Sequence, residues 1–275
     1  MKKNKNNTVQ LIISTIGAVI FFFPVYAVII GSFKTNGQLM NDPFGIPNPF
    51  IPDAYLLILL KSSQFWTFLF NSVFISSSVI VLTLASAMPA SLALSRIRFR
   101  GQTFIYNFFL MGMLFPITVA ILPLYLQLRN FGLLGTRFGL DLAQAAFSLP
   151  LSIFIFTGFF REVPNELQDA VFIDGGGLIT FGTKVVLPLS TPVISTVTII
   201  TLIQSWNQFL MPLLVLDNPQ KFTIPLGVMQ FQGQFTTNWN QIMAFISISL
   251  LPMTLFYIFL QKYIVAGLTA GAVKG

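Results

Sequence analysis

The chain has 275 residues, 55% of them hydrophobic and 8% charged, with mean hydropathy +0.80 and a formal net charge of +7. A soluble domain carries about a quarter of its residues charged, so this composition excludes an ordinary water-soluble globule and places the outer face in lipid. Cysteine and histidine are absent, which removes disulfides, thiolate metal sites, serine–histidine triads and the usual neutral-pH general base. No catalytic or metal-binding residue is expected. The basic residues are scattered singly between apolar runs, so membrane topology accounts for them better than nucleic acid.

A helix needs about 20 apolar residues to cross a hydrocarbon core roughly 30 Å thick. Six runs qualify, at 9–31, 66–91, 104–128, 142–160, 189–214 and 241–263. They predict an all-α polytopic membrane protein with six transmembrane helices in a single domain, 1–275. The first run follows Lys2, Lys3 and Lys5 but is too long for a signal-peptide core, and it reads as a retained anchor. Lysine and arginine then set the orientation. With the N-terminus inside, the inner side collects Lys2, Lys3, Lys5, Arg96, Arg98, Arg100, Arg161, Lys184, Lys262 and Lys274, against Lys34, Lys61, Arg129, Arg137 and Lys221 outside. Both termini are therefore expected in the cytoplasm.

On the outer side, the segment 41–52 carries four prolines and is expected to form a structured loop rather than a helix. A proline falls in every run: Pro24, Pro89, Pro116 with Pro123, Pro150, Pro192 with Pro212, and Pro252. Bundle packing explains them, as does a set of bent helices around a pathway. None of the eight acidic residues lies inside a predicted span, which disfavours proton or sodium coupling.

Half of the acidic residues gather in the inner loop 161–184, as Glu162, Glu166, Asp169 and Asp174. Asn165 as N-cap with Gln168 three residues on, Glu166 and Asp169 in the first turn, and Gly175 as stop predict a short helix. Leu167, Ala170, Val171 and Asp174 fall on one face of it. A helix this short needs packing to persist, either on its own bundle or on a partner. Downstream, Gly177-Leu-Ile-Thr-Phe-Gly182 imitates a phosphate loop, but Gly182-Thr183-Lys184 lacks the required Gly-Lys-Ser/Thr order.

Amides inside the runs suit a neutral polyol, because each offers a donor and an acceptor. They are Asn71, Asn107, Gln127, Gln144, Gln204, Asn207 and Gln208, with Trp206 as an aromatic face. Interhelical hydrogen bonding is the competing explanation. Gln204, Asn207 and Gln208 share a face if the fifth run is one helix. The lack of a buried arginine or lysine disfavours an anionic substrate such as a sugar phosphate.

The loop resembles the EAA loop of permease subunits of bacterial ABC importers. Asp169-Ala170-Val171, three residues, Gly175, nine residues and Val185-Val186-Leu187-Pro188 keep its spacing, with Asp169 for glutamate, Val171 for alanine and Val185 for isoleucine. Ser205-Trp206-Asn207-Gln208-Phe209-Leu210-Met211-Pro212 and the ending Val265 to Gly275 are similar to the carbohydrate-type permeases related to the second maltose-transporter permease. The resemblance implies a type I importer domain in the bacterial cytoplasmic membrane. It implies a second homologous permease, an ABC ATPase dimer and an extracytoplasmic solute-binding protein delivering a sugar or oligosaccharide. ATP and magnesium would sit on the ATPase, with no cofactor on this chain. Glu166, Leu167, Asp169, Ala170, Val171, Asp174 and Gly175 would dock the ATPase, and Gly267, Gly271 and Lys274 in the tail 264–275 would give a second contact. A self-contained secondary carrier for a neutral polar solute is the alternative.

Overall fold

A computed structural model describes the backbone of residues 3–231 and 238–272, with side chains for 9–230 and 238–259. In chain order the helices are α1 (Lys3–Gly31), α2 (Asn36–Asn41), α3 (Asp53–Leu56), α4 (Gln64–Arg96), α5 (Gln102–Gly112), α6 (Ile117–Asn130), α7 (Arg137–Glu162), α8 (Asn165–Ile173), α9 (Leu178–Phe181), α10 (Leu187–Leu189), α11 (Thr191–Trp206), α12 (Leu210–Val215), α13 (Ile224–Gly227) and α14 (Trp239–Ala272). No strand occurs among the described residues. Four helices are long and apolar enough to cross a membrane, and there are six spans when each of two bent pairs counts as one. The protein is an all-α polytopic membrane protein.

The chain packs as two compact units, Met1–Thr67 with Gly227–Phe256, and Phe68–Leu226 with Tyr257–Gly275. In the first unit α1 is apolar all round, and its side chains stay exposed within this chain, Phe21 and Phe22 among them; such a helix belongs in lipid. The loop after it folds back against it, where Tyr26 Oη donates to Phe44 O at 3.3 Å. Thr35 and Gln38 close a capping box on α2, and Gln38 Nε2 donates to Asn48 O at 2.5 Å. Phe33 lies between Phe50 and Tyr55, with ring centroids 4.3 Å and 4.8 Å away. Residues 42–52 are irregular, as their prolines predict.

The second unit holds two packed clusters. One joins Leu94 of α4, Phe156 and Phe160 of α7, Phe181 of α9 and Val193 and Val197 of α11. The other joins Ile75 and Val79 of α4, Leu140 of α7 and Met211 and Val215 of α12. Lipid tails are as apolar as these side chains, so close packing and internal hydrogen bonds hold the unit rather than exclusion from water. Gly112 ends α5 against α7, where an added Cβ would stand 2.9 Å from Pro150 Cγ.

Several expectations are corrected. The third run, 104–128, is two helices, α5 and α6, bent by 103° around Pro116. The fifth run, 189–214, begins with a 76° bend before α11, stops at Trp206 and resumes in α12 after a break at 207–209. The fourth starts earlier, at Arg137, so Asp141 lies inside a span and is buried. A buried carboxylate is costly without a partner, and its Oδ1 has none among the described residues. The last helix continues to Ala272, so the expected tail 264–275 is helical up to that residue.

Candidate functional site

The loop 161–184 forms the predicted nine-residue helix, α8. Its start is built differently from the expectation. The N-cap is Pro164, without a side-chain cap, and Asn165 is already helical. Instead of capping, the Asn165 Oδ1 accepts from Arg96 Nη1 at 2.7 Å. Arg96 is the last residue of α4, and its Nη2 donates to Val163 O at 2.5 Å and to Phe160 O. Its guanidinium also lies 5.6 Å from the Phe181 ring centroid. One cation thus satisfies orphan carbonyls at the end of α7 and holds the beginning of α8. At the other end Gly175 takes φ +80°, a conformation that favours glycine, and Gly176 N donates to Val171 O at 2.8 Å.

The faces of α8 are unequal. Val171 packs, partly buried, on the cluster formed by Phe156, Phe160 and Phe181. Leu167, Ala170 and Phe172 are exposed, as are Glu166, Asp169, Asp174 and Gly175. Ile173 is 86% exposed and Ile179, on α9, 82%. Of the expected stripe, Val171 packs on the bundle, while Leu167 and Ala170 are exposed.

A second feature lies at the break between α11 and α12. A cavity of ≈ 240 Å³ is lined by Gln144, Phe147 and Ser148 of α7, by Gln204, Ser205 and Gln208 along the break, and by Met211. Gln144 is 4% exposed, and its Oε1 accepts from Ser205 Oγ at 2.6 Å. Of the predicted solute contacts, Gln144, Gln204 and Gln208 meet here. Asn207 turns its amide back to Ile203 O at 2.9 Å, Trp206 is buried, and neither lines this cavity. Asn71 lies elsewhere and is fully buried; its Nδ2 donates to Gln220 O at 2.8 Å and Phe222 O at 2.9 Å, while Oδ1 accepts from Arg137 Nη2 at 2.6 Å. With these bonds made, Asn71 ties α4 to the start of α7 and to residues 220–222.

Residues 83–270 match the model of the family described as binding-protein-dependent transport system inner membrane component. The chain belongs to that family. It is a multi-pass membrane permease and is not itself a catalytic subunit. It is 38% identical over 253 residues to a putative ABC transporter permease protein, ORF2, of Caldicellulosiruptor sp. strain Rt8B.4, covering 92% of this chain and 91% of the other. It is 31% identical to the trehalose/maltose transport system permease protein MalG of Thermococcus litoralis, over 100% of both chains. The same identity holds for the arabinooligosaccharides transport system permease protein AraQ of Halalkalibacterium halodurans, over 99% and 100%. Among solved structures, a bacterial ABC transporter involved in the import of the acidic polysaccharide alginate shares the fold, with a TM-score of 0.83 at 22% identity over 96% and 98% of the two chains.

In this permease the sequence pattern located α8 and the polar fifth span. Arg96 escaped it, appearing only as one of four arginines expected on the inner side, because its role depends on carbonyls 64 and 67 residues away. Of the tail positions, Gly267 and Gly271 fall on α14 with side chains outside the described set, and Lys274 lies outside the described residues.

Proposed function

We propose that this chain is one of two permeases lining the pathway of an ATP-driven sugar or oligosaccharide importer. Family membership supports the transport role, and relatives named for maltose, trehalose and arabinooligosaccharides support the solute class. An extracytoplasmic binding protein would deliver the sugar. A separate ABC ATPase dimer would hold ATP and magnesium and take α8 in a cleft. Both termini would be cytoplasmic, in a bacterial cell membrane, with Gly267, Gly271 and Lys274 as a second contact for the ATPase.

The observation that carries the docking role is the pairing of a fixed root with a bare tip. Arg96 and Val171 tie α8 to the bundle, while Leu167, Asp169, Phe172 and Ile173 stay exposed around the rest of it. A short helix tied at one side and apolar at the other passes a push from its partner to α4 and α7 with little slack. When the ATPases close, the paired α8 helices would approach and open the cavity outward. Co-purification tests this: the ATPase is retained by the wild-type permease pair and released by Ile173→Glu with Leu167→Glu. Retention by that double variant would overturn the assignment of α8.

A further inference from the structure

The Gln144 amide is held at one end only. Ser205 Oγ donates to its Oε1 at 2.6 Å, whereas Nε2 is buried with no hydrogen-bond partner among the described residues. An unpaired buried N–H is costly, and natural proteins leave few of them. This one belongs to a residue that lines the ≈ 240 Å³ cavity. The Ser205 bond fixes which end of the amide is spoken for and leaves the donor end for something else. Gln204 precedes the helix break and Gln208 lies in it, so both amides line the cavity from irregular or terminal backbone. Broken spans in transporters occur where backbone lines a cavity.

The rest of the lining fits one ligand chemistry. No charged residue is among the seven, and Phe147 and Met211 supply apolar surface. Three amides that both give and take hydrogen bonds complement hydroxyls that do the same, and the Ser148 and Ser205 hydroxyls, whose protons go to Gln144 O and Gln144 Oε1, can still accept. The volume is below the roughly 300–1,000 Å³ of pockets that enclose drug-sized ligands, which suits one ring rather than a whole oligosaccharide. We propose that this cavity is a subsite for one ring of a neutral sugar on this subunit, with Gln144 Nε2 donating to a ring hydroxyl. Gln204 and Gln208 take neighbouring hydroxyls, and Ser205 positions the Gln144 amide. The subsite rests on the importer reading and narrows it: this chain recognises the solute itself, and the solute is uncharged there.

The test uses the complete transporter in proteoliposomes: both permeases, the ATPase and the binding protein. ATP-driven uptake is measured for radiolabelled maltose, trehalose, diacetylchitobiose and the anionic digalacturonate. Wild-type uptake of a neutral disaccharide is expected. Gln144→Leu, Ser205→Ala and Gln144→Glu, which puts an acceptor where the donor stood, should each lower it about three- to tenfold. The four-protein complex should still assemble normally by size-exclusion chromatography. Unchanged uptake in all three variants overturns the subsite and leaves the importer standing, and so does uptake of digalacturonate alone. Loss of assembly in all three assigns Gln144 to packing and also overturns it. No ATP-driven uptake of any probe by wild type overturns the importer reading together with the subsite.

Discussion

Asn71 and Asp169 mark opposite uses of a polar side chain in a charge-poor protein. Asn71 is spent inward: its amide bridges two carbonyls near residue 221 and the Arg137 guanidinium. Leucine there would strand the two carbonyls and the half-buried Arg137 guanidinium, so Asn71→Leu should cost about 3 kcal/mol of stability. Thermal unfolding in detergent should show a lower midpoint, and an unchanged midpoint would refute the brace. Asp169 is exposed and forms no ion pair; among the described residues the one ion pair is Lys221–Asp217. Asp169→Ala should therefore leave stability within about 0.5 kcal/mol while weakening retention of the ATPase on an affinity column. Both residues are polar positions in the sequence, and nothing in their immediate neighbours separates them. The distinction comes from partners up to 151 positions away.

At the scale of elements, α8 owes its existence to local signals and its orientation to remote ones. Gly175 at φ +80° stops the helix, and Gly175→Val should cost about 1–2 kcal/mol through left-handed strain. Limited proteolysis should then cut the loop 161–184 faster in the variant than in wild type. Arg96 sets direction by holding Asn165, Val163 O and Phe160 O at once. Removing it leaves α8 tethered by Val171 and Leu178 packing. Arg96→Ala should increase the mobility of a spin label at Ile173→Cys and lower the uptake obtained per ATP hydrolysed. A label as immobile as in wild type would show that the clamp does not position the helix. The expected Asn165 cap failed for a related reason: a polar side chain at a helix start caps only if nothing stronger claims it, and a guanidinium did.

At the scale of the whole molecule, lysine and arginine placement predicts which side each loop faces. The chain has no native cysteine, so single cysteines report cleanly. Met40→Cys, 84% exposed, should react with a membrane-impermeant maleimide in intact cells. Ile173→Cys should react only after permeabilisation, and labelling in the reverse order would invert the topology.

The membrane class, the location of the six apolar runs, the short helix α8 and its glycine stop are legible in the sequence alone. These are read from composition, run length and caps, which act over a few residues. Tertiary structure decided the 103° bend at Pro116, the break at 207–209 that gathers Gln144, Gln204 and Gln208, the burial of Asp141 and the grip of Arg96. Proline marks where a helix is free to bend without saying whether it does: Pro89 and Pro150 lie inside continuous helices, and Pro116 does not. In lipid every polar group must find a partner inside the protein, and which partner it finds depends on which helices lie side by side. That is the information a single strand of sequence does not carry.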